Sequence, residues 1–158
     1  MPELSAEHMR ASARVVEQVS LIGRRSRIIS AEVAHQVGLQ PAQVGVLLKT
    51  ARVGEMRVAD LAEQMLVDPS VISRQISYLE NAGLLVRRPD PEDRRASLVS
   101  VSDAGRALAE RVHGLHGEAI SATLSDWTVE EIDEVGAALE RLNTATEQAH
   151  RRPAEVTA

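Results

Sequence analysis

The chain has 158 residues, the length of one compact domain or of one domain with helical extensions, and its 44% hydrophobic content is enough for a core. It has no cysteine, which excludes a disulfide framework, a thiolate nucleophile, a thiolate zinc site and a thiol redox switch, and its aromatic share is 1% (Trp127 and Tyr78, no phenylalanine). The net charge is −5, no apolar run approaches the roughly 18 residues of a membrane span, and Met1-Pro2-Glu3-Leu4 lacks a basic-then-apolar signal pattern, which predicts a cytoplasmic protein.

Residues 4–34 read as one long helix, with Leu4, Val15, Val16, Val19, Leu21, Ile22, Ile28 and Ile29 at mixed three and four spacing. Gly38 and Pro41 break it, and Pro41 suits the first turn of a helix over 41–53, which Gly54 ends. A short helix follows at about 58–65. Asp68 then offers a capping carboxylate and Pro69 a first helical position with no N–H to leave unsatisfied.

The helix expected over 69–82 has two faces. Val71, Ile72, Ile76 and Leu79 form an apolar stripe, while Ser70, Ser73, Arg74 and Ser77 form a polar one at i, i+3, i+4, i+7. A solvated face usually carries Glu/Lys pairs. Three serines, mediocre helix formers, beside one arginine suit close approach to another surface instead. Gly83 stops this helix.

The period then shifts from 3.6 to about 2. Strands are expected at 84–88 and 96–101, joined by Pro89-Asp90-Pro91-Glu92-Asp93-Arg94-Arg95, a turn with two arginines at its tip. Ser102 can cap a helix over about 103–123. Thr128 with Glu131 forms a capping box for a helix over 128–149, where Ile132, Val135, Leu139 and Leu142 make a seam that needs a partner helix. The order helix, helix, turn, helix, hairpin describes a winged helix-turn-helix: a mainly α fold with a small β-wing. The expected organisation is a long N-terminal helix in 1–40, the winged helix-turn-helix in 41–102 with its wing at 84–101, long C-terminal helices in 103–150 and a frayed tail in 151–158.

A helix-turn-helix places its second helix in the major groove, where each base pair shows a distinct donor and acceptor pattern. The readers expected here are Ser70, Ser73, Arg74 and Ser77, with Gln75 flanking. Arg74 can fork onto O6 and N7 of guanine, and Gln75 can do the same for adenine. Helix N-termini near 41, 58 and 69 can hold phosphates. Arg94 and Arg95 suit the minor groove, with Asp93 able to hold one of them by a charge-assisted pair. The net charge does not oppose this. Residues 118–158 hold nine acids against three bases and account for −6, leaving +1 in the first 117 residues. Nine arginines and ten acids over 52–111 still leave that segment at −1, so the reading depends on where a few arginines sit.

Residues 44–111 resemble the MarR family of bacterial transcription regulators. The resemblance is carried by Val58-Ala59-Asp60-Leu61-Ala62-Glu63, by Ser70-Val71-Ile72-Ser73-Arg74, and by Leu79-Glu80-Asn81-Ala82-Gly83-Leu84. Its most specific part is the wing block Arg87-Arg88-Pro89-Asp90-Pro91-Glu92-Asp93-Arg94-Arg95 and the exit Val99-Ser100-Val101-Ser102-Asp103-Ala104-Gly105. The resemblance implies an obligate homodimer built from the terminal helices. It also implies a roughly palindromic double-stranded DNA operator and a repressor usually released by a small-molecule effector. By residue it points to Ser70, Ser73, Arg74 and Gln75 for the major groove, and to Arg94 or Arg95 for the minor groove.

The chain departs from the family pattern in three ways. Arg57 stands where a capping hydroxyl is frequent, so it is a weaker cap and a candidate phosphate contact. The absence of cysteine excludes the peroxide-sensing branch. With so few aromatics, an effector pocket would have to be aliphatic, supplemented by Arg and His.

Two other readings stand beside this one. One is a winged-helix module that binds protein without reading DNA. The other is a metal-responsive regulator using His113 and His116, at i and i+3 on one helix face, with His35 near the end of the first helix. A single titrating histidine there would instead give pH sensitivity. No resident cofactor is expected. No Gly-x-Ser-x-Gly, phosphate loop or dinucleotide fingerprint is present, so no enzyme is expected. The acidic Glu130, Glu131, Asp133 and Glu134 sit in the first turns of a helix, where they meet its dipole favourably.

Overall fold

The computed structural model describes residues 5–93 and 96–151. In chain order the elements are α1 (Ala6–Gln36), α2 (Pro41–Val53), β1 (Met56–Arg57), α3 (Val58–Gln64), α4 (Pro69–Asn81), β2 (Leu85–Pro89), β3 (Ser97–Val101), α5 (Asp103–Thr123) and α6 (Val129–Arg151). The fold is mainly α with a small antiparallel wing, as the sequence predicts. Every predicted element is found, with ends shifted by at most two residues. Arg151, expected in the tail, still belongs to α6, and 152–158 lie outside the described residues.

The wing departs from expectation by one strand. Met56 pairs with Val99 and Arg57 with Leu98, so β1 joins the hairpin to make a sheet of order β1-β3-β2. Two residues are too few to show an alternating period, which is why β1 is invisible in the sequence. Its effect is to tie the start of α3 to the wing. In the hairpin, Leu85 faces Val101 and Arg87 faces Val99.

The chain packs as two units, one up to Ala119 and one from Ile120. The core lies in the first. Leu47 of α2, Leu61 of α3, Ile72, Ile76 and Leu79 of α4, Val99 of β3 and Val112 of α5 are fully buried. Each such aliphatic side chain contributes about 1.5–3 kcal/mol by leaving water. Val33 and Ala34 bring the C-terminal end of α1 into the same cluster. The fully buried hydroxyl of Thr50 is satisfied, its Oγ1 donating to Val46 O at 2.9 Å.

Local chemistry explains the joints. Gln43 Oε1 accepts from the Gln40 N–H at 2.8 Å and closes the start of α2. The capping box at α6 forms as predicted: Thr128 N–H donates to Glu131 Oε2 at 2.8 Å, and Glu131 N–H to Thr128 Oγ1 at 3.2 Å. Gly83 has φ 73°, a left-handed conformation that ends α4. Beyond the wing, Ser102 Oγ donates to Gly83 O at 2.6 Å and accepts from Gly105 N–H at 3.0 Å. A Cβ at Gly105 would overlap the Leu84 carbonyl oxygen and lie 2.9 Å from Val101 Cγ2. The serine-x-x-glycine exit is therefore a close backbone crossing between the end of α4 and the start of α5.

Candidate nucleic-acid interface

The turn from α3 to α4 runs through Met65, Leu66 and Val67. Leu66 has φ 54°, a left-handed conformation that is unfavourable for a branched side chain, and it is 88% exposed. Asp68 then caps α4, its Oδ1 accepting from Ser70 N–H at 2.8 Å. The Ser70 hydroxyl and backbone N–H together hold the Asp68 carboxyl below its ordinary range, with a smaller contribution from the charge of Arg74.

The polar stripe predicted for α4 is formed. Ser70, Arg74 and Ser77 are exposed and Ser73 is half-buried, on the side away from Ile72, Ile76 and Leu79. Ser77 Oγ donates to Ser73 O at 2.9 Å and lies 3.4 Å from Arg87 Nη2, so part of its capacity is used within the protein. Gln75 is not brought to this face. At about 100° per residue it lies about 140° around the helix from Ser70, and it is half-buried beside Val71. Tyr78 sits instead at the edge of the stripe, 48% exposed. It stands at i+4 from Arg74, so helical spacing in the sequence is enough to find it.

The wing base is held by two charged ties. Arg57 Nε donates to Asp90 Oδ2 at 2.6 Å, and Arg88 Nε and Nη2 make a forked pair with Glu55 at 2.8 and 2.6 Å. Asp90 is buried. Its Oδ1 also accepts from Glu92 N–H at 2.9 Å, and its own N–H donates to Ala96 O at 3.1 Å. Its carboxyl is held below the ordinary range, first by the Glu92 N–H and then by Arg57. Arg57 makes no side-chain cap on α3, in line with the weaker cap expected there, and its guanidinium is engaged by the Asp90 carboxylate. Asp93 is at the tip, where its carbonyl accepts from Ala96 N–H. Arg94 and Arg95, the predicted minor-groove residues, lie outside the described residues.

His35 lines a groove on α1 with Arg24 and Arg27, His113 lines a separate cavity between α2 and α5, and His116 carries a buried Nε2 without a hydrogen-bond partner. Among the described residues no three His, Asp or Glu side chains assemble as a metal site.

Comparison with known proteins agrees with this geometry. Residues 37–96 match the family model described as MarR family. The HTH-type transcriptional repressor MdtR of Bacillus subtilis is 31% identical over 110 residues, covering 70% of this chain and 71% of that protein. The chain belongs to the MarR family. A second B. subtilis relative of this kind, the uncharacterized HTH-type transcriptional regulator YxaD, is 35% identical over 92 residues, which span 58% of this chain and 64% of that protein. YusO of B. subtilis superimposes with a TM-score of 0.65 at 26% identity, over 90% of this chain and 99% of that one. Apo MarR of E. coli gives 0.73 at 21% identity, over 80% and 93%, and shows the shared fold. As a MarR-family member the protein is a DNA-binding transcription regulator and not an enzyme. No helix among the described residues is long and apolar enough to cross a membrane.

Proposed function

We propose that this regulator acts as a homodimeric, ligand-released repressor on a roughly palindromic operator, with α4 in the major groove and the wing tip in the minor groove. The observation that carries the reading is the α4 face, where Arg74 projects into solvent between small hydroxyls on a helix whose other side is locked into the core. Ser70, Ser73, Arg74, Ser77 and the neighbouring Tyr78 are the candidate base and phosphate contacts, and Arg94 or Arg95 the minor-groove contact. The relative MdtR is named as a repressor, which supports that direction of control.

Dimerisation is supported by apolar surface left open on the helices outside the head. Val15, Val16, Val19 and Ile22 of α1 are exposed, as are Ile132, Val135 and Leu139 of α6. Residues 1–40 and 103–150 are accordingly assigned to the dimer lobe, and 41–102 to DNA binding. Release by a ligand is supported by a cavity of about 600 Å³ between α2 and α5, lined by Leu48, Lys49, Arg52, Arg106, Glu110 and His113. Its aliphatic wall with Arg and His is the kind of pocket the composition predicts, and it suits a small anion with an apolar body.

The test is to select bound sequences from a random DNA pool and measure Arg74→Ala on the winner. The variant should lose about 1–3 kcal/mol of affinity, concentrated at one operator position. Unchanged affinity and preference would remove direct readout by α4, and a monomer in solution would remove the paired-site geometry.

A further inference from the structure

Between the recognition helix and the wing lies a notch of about 320 Å³, lined by Arg57, Pro69, Ser73, Arg87, Ala96 and Ser97. We propose that this notch seats one phosphodiester of the DNA backbone, with Arg87 as its principal donor and the hydroxyls of Ser73 and Ser97 beside it. The proposal rests on the reading that α4 enters the major groove and the wing the adjacent minor groove. A protein that occupies two neighbouring grooves straddles the sugar–phosphate strand between them, and the notch is the space between those two elements.

The chemistry of the walls fits an anion. Among the described residues no carboxylate lines the notch. Arg57 is already tied to Asp90 at 2.6 Å and Arg88, on the same strand as Arg87, is forked onto Glu55. Arg87 is less committed. Its Nε is buried without a hydrogen bond, its contact with Glu80 Oε2 is 3.4 Å, and its Nη2 reaches Ser77 Oγ only at 3.4 Å. A guanidinium offers five N–H donors in a rigid fork suited to phosphate oxygens. The hydroxyls of Ser73 and Ser97 make no hydrogen bond to another described residue, and each can donate one. The prediction is a backbone contact that fixes register and carries no sequence information.

The experiment uses the full chain and its selected operator, with single methylphosphonate replacements scanned along each strand. For the wild type, one neutralised phosphate per bound recognition helix should weaken binding about tenfold through loss of a charge-assisted contact. For Arg87→Gln the same replacement should cost nothing further, while replacements elsewhere cost both proteins equally. Arg87→Gln should also flatten the salt dependence by about one released counterion per site, and Arg87→Lys should restore it. If Arg87 only braces α4, its loss weakens binding by one factor at every phosphate with an unchanged salt slope, and that result overturns the proposal. A wild type with no sequence preference in the selection overturns the groove reading, and the proposal with it. Preference with additive losses overturns the notch alone.

Discussion

Two helices of this protein carry apolar stripes at helical spacing, α4 with Val71, Ile72, Ile76 and Leu79, and α1 with Val15, Val16, Val19 and Ile22. On α4 the stripe disappears into the core, Ile76 and Leu79 at 0% exposure. On α1 it stays in solvent, Val16 at 65% and Ile22 at 53%, although Val33 and Ala34 at the far end of the same helix are buried. Periodicity fixes which face of a helix is apolar. It does not fix what covers that face, because the covering surface is a property of the assembly and not of the local sequence.

The comparison can be broken by substitution. Ile76→Ala should cost about 4 kcal/mol in a denaturant titration, since it opens a cavity in a fully packed site, whereas Ile22→Ala should leave the head's stability within about 0.5 kcal/mol. A comparable loss at both positions would mean that α1 is covered within the chain. Gly105→Ala should come next, at about 3 kcal/mol by the same titration, because its new methyl group collides with backbone at Leu84 and not with a yielding side chain. Ile22→Asp sharpens the contrast from the other direction. It should abolish association in sedimentation equilibrium while the head remains folded, and an unchanged mass would exclude the α1 stripe from the dimer contact.

Acid should loosen the wing before the core. The Asp90 carboxyl is held low by the Glu92 N–H and Arg57, and the Glu55 carboxyl by its hydrogen bonds from Arg88. Depressed carboxylates contribute stability that is complete above their unfolded-state pKa and is lost as pH falls through the folded one. Hydrogen exchange corrected for intrinsic rates should therefore show wing amides losing protection below the ordinary carboxylate range, with those of the buried middle of α4, beyond its Asp68 cap, following later. Simultaneous loss would contradict separate ties. The smallest effect is expected at Leu66→Gly, which relieves the left-handed conformation and should raise stability by about 0.5 kcal/mol after the added freedom of glycine in the unfolded chain.

Much of this architecture was legible in the residues. Asp68-Pro69, Gly83 and the Thr128 and Glu131 box act through neighbours in sequence, and each does in the structure what its chemistry predicts. The features that escaped depend on distance along the chain or on strain. Arg57 and Asp90 are 33 residues apart, and nothing local in either announces the other. Leu66 occupies a conformation that a sequence reader assigns to glycine. Gln75 looks like a reader when listed beside Arg74, yet the helical turn between adjacent residues carries it away from the stripe, while Arg87, on a strand, lies close to Ser77.

The close crossing at Gly105 has a mechanical consequence. With the Ser102 hydroxyl bonded both to Gly83 and to Gly105, the first turn of α5 and the last turn of α4 move as one lever whose long arm is α4. Its 13 residues give an arm of about 20 Å. A tilt of about 10° at the pivot therefore swings Ser70 by about 3.4 Å, one base step along a DNA strand. Under the proposed placement of α4 in the major groove, operator register would be set by an angle at a glycine located at the opposite end of that helix.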